Sequence, residues 1–190
     1  MAHDAPEQEL DEDGLAVRKY DSQVLVVLPE TGFGEQILRY ARSSLYNVHV
    51  GTWSTSSAED GLVKGRLQDE FVVDQSLSEV TLEDFSGIVV AGNEGVCELA
   101  QNDKILDLVR EADRSGKLIG AWGNALAVLV RAGVVRGRRV TGDESLRQDV
   151  STAGGRYTGR EIEVAKNLVT ARDEGAGMRF GQALVVAVRI

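Results

Sequence analysis

Three short runs constrain this chain more than anything else in it: Gln23-Val-Leu-Val-Val-Leu28, Gly87-Ile-Val-Val-Ala91 and Leu118-Ile-Gly-Ala-Trp122. Each is apolar at almost every position, and β-branched residues dominate the first two. A strand that is apolar on successive residues is covered on both faces. Between these runs lie stretches with apolar residues at helical spacing, such as Ile37, Leu38 and Ala41. Strands alternating with helices build a parallel sheet with crossover helices on both faces. The expected fold is an α/β three-layer sandwich with a mostly parallel sheet, formed as a single domain over residues 21–190.

The remaining elements follow from the same patterns. Helices are expected over 33–44, over 78–85 with Thr81 as a cap, from about 96 through 114, up to Ala132, and over 178–188. Gly133 would end the fourth of these as a left-handed cap. Residues 46–53 alternate and predict a strand carrying His49. Residues 62–74 predict a hairpin turning near Gln68-Asp69, and 138–141, 161–164 and 168–170 predict short strands.

Composition narrows the chemistry. One cysteine, Cys97, excludes an internal disulfide, and with His3 and His49 it supplies too few ligands for a structural zinc site. No metal and no cofactor are expected. Two histidines leave few ways to build a Ser-His or Cys-His pair. The net charge of −9 argues against binding the phosphate backbone of a nucleic acid. Residues 1–20 hold six acids against Arg18 and Lys19 and lack hydrophobic periodicity, so a disordered or loosely attached tail is expected there. No stretch reaches the roughly 18 apolar residues of a membrane helix, and the acidic start lacks a secretory h-region. A cytoplasmic protein with a free thiol is the expectation.

Ligands of parallel sheets sit beyond the carboxyl ends of the strands. Three loops therefore matter: 29–35, 91–97 and 122–125. In the last, Gly120-Ala-Trp-Gly-Asn-Ala125 turns from strand to helix through small residues, the pattern of a nucleophile elbow. Here the chain resembles the ThiJ/PfpI superfamily (also called the DJ-one family), relatives of the class I glutamine amidotransferases. Five stretches in order carry the resemblance across about 22–190. Val24 to Glu35 is similar to the first strand and its acid-bearing loop. Phe85-Ser-Gly-Ile-Val-Val-Ala-Gly92 is similar to the family's FDALVIPGG. Ala132-Gly-Val-Val-Arg-Gly-Arg-Arg-Val-Thr141 is similar to AGLLKGRRVT. Ala153 to Tyr157 and Asn167 to Arg172 are similar to the later GAxY and NLITSRG stretches. The resemblance implies a flavodoxin-like sheet and a homodimer.

The departure lies at the elbow. The family reads A-x-C-H-G or A-x-C-x-G there, with a nucleophilic cysteine. Counting back from Ala132-Gly133, that cysteine falls on Gly123, its histidine neighbour on Asn124 and the following glycine on Ala125. A downstream histidine found after RRVT in some members has no counterpart in Gly142-Asp-Glu-Ser-Leu146. Glycine accepts an elbow conformation without strain.

Two readings stand for each candidate residue. The resemblance puts Glu35 in the pocket, facing Gly123; otherwise it is a surface carboxylate at a helix start. Cys97, just past the Ala91-Gly92-Asn93 loop that supplies oxyanion amides in the family, is either a displaced nucleophile or an ordinary packed thiol. His49 reads as a structural strand residue. Trp122 reads as core rather than a ligand platform, and Asn124 faces either the pocket or away. Arg136, Arg138 and Arg139 read as solvated charges, with a phosphate site as the alternative. Gly92-Asn-Glu-Gly95 is not a phosphate loop, since no Gly-Lys-Ser/Thr follows.

These observations leave three functions open. The first is a non-catalytic binding or regulatory, stress-related protein that keeps a small-molecule pocket at Glu35, Gly92, Asn93, Trp122, Gly123 and Asn124. The second is a hydrolase (protease or amidase), or a glyoxalase or deglycase, working through Glu35 or Cys97. The third is a chaperone-like homodimer. Nucleic acid and membrane partners are not expected.

Overall fold

The computed structural model of the protein describes residues 9–10, 16–17 and 21–188. Glu9–Leu10 pairs with Ala16–Val17 as a two-residue antiparallel ladder. The expected loose acidic tail otherwise falls outside the described residues.

From Ser22 the elements run β1 (Ser22–Val27), β2 (Thr31–Phe33), α1 (Glu35–Tyr46), β3 (Val50–Ser56), β4 (Leu62–Gly65), β5 (Glu70–Val72), β6 (Gln75–Ser76), β7 (Gly87–Val90), α2 (Val96–Leu99), α3 (Asp103–Arg114), β8 (Leu118–Trp122) and α4 (Leu126–Ala132). They continue with β9 (Arg139–Val140), α5 (Arg147–Thr152), β10 (Arg156–Tyr157), β11 (Ile162–Ala165), β12 (Leu168–Ala171) and α6 (Gly177–Val188). The main sheet has the order β11-β12-β8-β7-β1-β3-β6. Every pairing in it is parallel except the edge strand β11 against β12. This is the mostly parallel α/β sandwich expected.

The three apolar runs are its centre, because alternate residues of each feed opposite cores. Leu25, Val27, Ile88, Val90, Ile119 and Ala121 face one core with α3 and α4. Val24, Val26, Val89 and Trp122 face the other, with α1 and α6. Gly120 is the point of closest approach: a Cβ there would lie 2.9 Å from both Leu184 Cδ2 and Val89 Cγ2. α6 can therefore settle onto β8 only over a bare backbone.

The structure corrects several local expectations. α1 runs to Tyr46, because burying Leu45 with Ile37, Leu38 and Ala41 keeps one more turn helical. His49 then takes φ 62, and β3 starts only at Val50, so His49 is an exposed turn residue and not a strand residue. The alternation of Tyr46 and Val48 imitated a strand. Over 78–85 the chain forms only the 3-10 turn Leu77–Glu79, and exposed Thr81 caps no helix among the described residues. Leu77, Val80, Leu82 and Phe85 are buried all the same, so packing of this stretch does not require a regular helix.

The long helix expected from 96 is two helices. Asn102 is extended (φ −86, ψ 109) and accepts bonds from the Lys104 and Ile105 amides, capping α3. Such a cap is worth about 1 kcal/mol. The hairpin at 62–74 is present as β4 and β5, with Gln68 at φ 69 in its turn. It is joined by β2, which was not expected, and α5 was not expected either. Gly133 ends α4 at φ 81, left-handed as foreseen.

Candidate functional site

The strand order reverses around β1: β3 lies on one side of it, β7 and then β8 on the other. That reversal opens a crevice at the carboxyl ends of β1 and β7, where parallel sheets receive ligands. Loops 28–35, 91–95 and 123–125 meet there. The hairpin leans over them, with Phe71 edge-on to buried Phe33 at 5.4 Å.

At the centre is the turn out of β8. Trp122 is extended, Gly123 takes φ 58, and the 3-10 turn Gly123–Ala125 leads into α4. A side chain at Gly123 would find Asn93 Oδ1 at 3.7 Å and no other atom within 4 Å apart from its chain neighbours, among the described residues. The carbonyl of Gly123 accepts from the Asp143 amide at 3.0 Å. Tyr157 steadies this loop by donating its hydroxyl to the Gly142 carbonyl at 2.7 Å. The Asp143 carboxyl is held below its usual range by hydrogen bonds from the Ser145 side chain and amide.

Asn93 is the second unusual backbone, a non-glycine residue at φ 121. Such a conformation costs about 1–3 kcal/mol and persists only where its surroundings enforce it. Asn124 does so from across the crevice. Its Oδ1 accepts from the Asn93 amide at 2.6 Å, and its Nδ2 donates to the Asn93 carbonyl at 2.8 Å. The Asn93 amide nitrogen Nδ2 in turn donates to Glu174 Oε1, which also meets Arg66 Nη1 of the hairpin turn at 3.5 Å. Gly92 is bare because a Cβ there would collide with the Trp122 carbonyl oxygen.

Glu35 opens α1 and is 2% exposed. Its Oε1 accepts from the Leu67 amide at 2.6 Å, and its carboxyl lies against the bare backbone of Gly65. The carboxylate thus ties the hairpin to the loop after β2. Trp122 is wholly buried in the core, edge-on to Phe180 at 5.7 Å, with its indole N–H unpartnered.

Cys97 lies elsewhere. It is exposed on α2 and lines a groove of about 700 Å³ between α2, α4 and α5, walled by small apolar residues such as Ala100, Ala127 and Ala153. Asn124 touches this groove too, so it is the partition between the two regions. Among the described residues no histidine lines the groove, and His49 sits at the opposite end of β3 from the crevice. Arg138 and Arg139 are engaged by Asp113 at 2.7 Å and Glu163 at 3.5 Å. Among the described residues no group of three His, Cys, Asp or Glu side chains is placed to hold a metal, and no helix is long and apolar enough to cross a membrane.

Sequence reasoning missed Arg66 and Glu174. Neither belongs to a motif, and only the fold brings the hairpin turn and the loop after β12 to the mouth of the crevice.

A parallel sheet with a left-handed elbow beside its switch point defines a class of α/β proteins whose site lies at that turn. Within it, the chain belongs to the DJ-1/PfpI family, whose model matches residues 23–187. It is 26% identical over 172 residues to an uncharacterized protein of Methanocaldococcus jannaschii, covering 88% of this chain and 83% of that one. It is 28% identical over 120 residues to the deglycase PfpI of Pyrococcus furiosus, covering 63% of this chain and 72% of that one. Other relatives are also named as deglycases. Among solved structures, a ThiJ/PfpI domain protein of Brachyspira murdochii superposes with a TM-score of 0.83 at 19% identity, covering 88% of this chain and 96% of that one.

Proposed function

We propose that this protein is a binding or regulatory member of its family that holds a small molecule at the elbow without thiol chemistry. One observation carries the reading: the left-handed elbow residue is Gly123, with open space where a side chain would project. The family motif places the nucleophile at this position, and glycine has nothing to attack with. The one thiol among the described residues, Cys97, is in the groove beyond Asn124.

The test is turnover by the purified chain of methylglyoxal, of a glycated amine and of a peptide. None is expected above the buffer rate. Turnover that disappears in Glu35→Gln would replace this reading with a carboxylate-and-water mechanism, and turnover lost in Cys97→Ser would replace it with a displaced thiol.

The chain is also expected to pair with a second copy. Leu67 and Val72 of the hairpin, 69% and 77% exposed, support an apolar contact there. Sedimentation equilibrium reads the pairing directly, and a monomer at high concentration overturns it.

A further inference from the structure

The contact of Arg66, Asn93 and Glu174 bears on what the pocket binds. We propose that the mouth of the elbow pocket is a seat for a small carboxylate, and that the chain's own Glu174 fills this seat when no ligand is bound. The inference rests on reading the elbow as a binding site.

Donors from two distant segments converge on one oxygen. Asn93 Nδ2, from the loop after β7, and Arg66 Nη1, from the hairpin turn, both meet Glu174 Oε1. A guanidinium beside an amide N–H₂ is a donor set suited to a carboxylate. Room for the carboxylate is built into the backbone: a Cβ at Gly34 would lie 2.6 Å from Glu174 Oε1 and 2.9 Å from its Cδ. The Asn93 side chain is aimed by a strained backbone, fixed through both of its peptide groups by Asn124. Strain retained in this way is characteristic of ligand clamps.

That one amide faces two ways. Its Nδ2 meets the carboxylate and its Oδ1 lies 3.7 Å from where a Gly123 side chain would begin. The Asn93 amide therefore stands between a carboxylate seated on its Nδ2 and the empty elbow position. On the Arg66 side Glu174 is weakly held. Its side chain is 27% exposed, that of Arg66 is 53% exposed, and their pair is separated by 3.5 Å. An ion pair this open contributes little, so the Asn93 hydrogen bond is the main contact an incoming carboxylate has to replace.

The experiment is titration of the full chain with acetate and pyruvate at fixed ionic strength, followed through the backbone amide resonances of Asn93 and Gly123. Chloride and acetamide serve as the nonspecific anion and the neutral isostere. Saturable shifts are expected with the two carboxylates alone. Glu174→Gln removes the competing charge and is expected to tighten the Kd by about tenfold or more. Arg66→Ala is expected to abolish saturation, both in the wild-type chain and combined with Glu174→Gln.

An unchanged Kd in Glu174→Gln, binding that survives Arg66→Ala, or equal binding of acetamide would each overturn the proposal. Should Glu174→Gln fail to fold, Arg66→Ala in the wild-type chain decides alone. Turnover of a carbonyl substrate would sink the non-catalytic reading and leave these titrations intact. Flat titrations without turnover would sink the carboxylate seat alone.

Discussion

The two sides of Asn124 are built on different principles. On the elbow side the backbone is unusual at Gly123 (φ 58), where glycine adopts it freely, and at Asn93 (φ 121), where hydrogen bonds from Asn124 enforce it. A buried carboxylate, Glu35, and the Glu174–Arg66 contact complete a polar, tightly specified region. On the groove side the helices are ordinary, apolar residues such as Ala100 and Ala127 share the lining with Gln101, Arg131 and Asp149, and the thiol of Cys97 stands exposed. A thiol becomes a nucleophile through a nearby base or positive field, and a carboxylate becomes useful beside the group it assists. Here the two are divided between regions, and the region with the enforced geometry is the one without the thiol.

Substitutions can break this contrast to different degrees. The largest effect is expected from Gly92→Ala, whose Cβ would collide with the backbone oxygen of Trp122 and force the elbow strand and its neighbouring loop apart. A loss of about 3 kcal/mol or more is expected in chemical denaturation.

Next is Asn124→Ala, which strips the Asn93 amide and carbonyl of their partners and releases its strained backbone. Leaving such groups unpaired costs about 2–3 kcal/mol. Hydrogen exchange should rise at Asn93 while α3 stays protected, and equal exposure of both would show that the lock is not local.

Gly123→Cys sharpens the contrast by installing a thiol on the enforced side. With open space around the new Cβ, the cost is only that of a left-handed non-glycine residue, about 1–2 kcal/mol. A chain that does not fold would mean that the space at Gly123 does not admit a side chain.

The smallest effect belongs to Cys97→Ser, expected within about 0.5 kcal/mol because the thiol is exposed. A shift well beyond that would give the groove a structural role that its lining does not suggest.

A pH effect follows from the loop over the elbow. The Asp143 carboxyl is lowered in the folded state by Ser145, so its contribution is present above its ordinary unfolded value and is lost as pH falls through the lower folded value. The contribution is small, since the group is mostly solvated. Ser145→Ala should lower the neutral plateau slightly and leave stability at low pH unchanged, which flattens the acid limb.

How legible was this in the sequence? The central strands were, because β1, β7 and β8 are apolar on both faces and the burial of residues such as Leu25 and Ile119 is absolute. Gly133 was legible as a helix end, because a left-handed cap needs a residue without Cβ. The ends of α1 and β3 were not. A few alternating residues around Val48 carry no information about where helix packing stops, and α6, far along the chain, makes Leu45 worth burying. The break at Asn102 was hidden by apolar residues that continue the helical spacing on both sides.

Of the site, Glu35, Gly92, Asn93, Gly123 and Asn124 could be singled out from loop position and motif. Their pairing could not, since the bonds of Asn124 to Asn93 join residues separated by 31 positions. Sequence alone determined the parallel α/β sheet, the family and the absence of a side chain at Gly123, because apolar runs and residue identity are local facts. Only the tertiary structure decided that Glu35 ties down the hairpin, that Asn124 divides crevice from groove, and that Arg66 and Glu174 meet over the elbow. Those contacts depend on how loops converge at the carboxyl edge of the sheet, a distance in space that no spacing along the chain encodes.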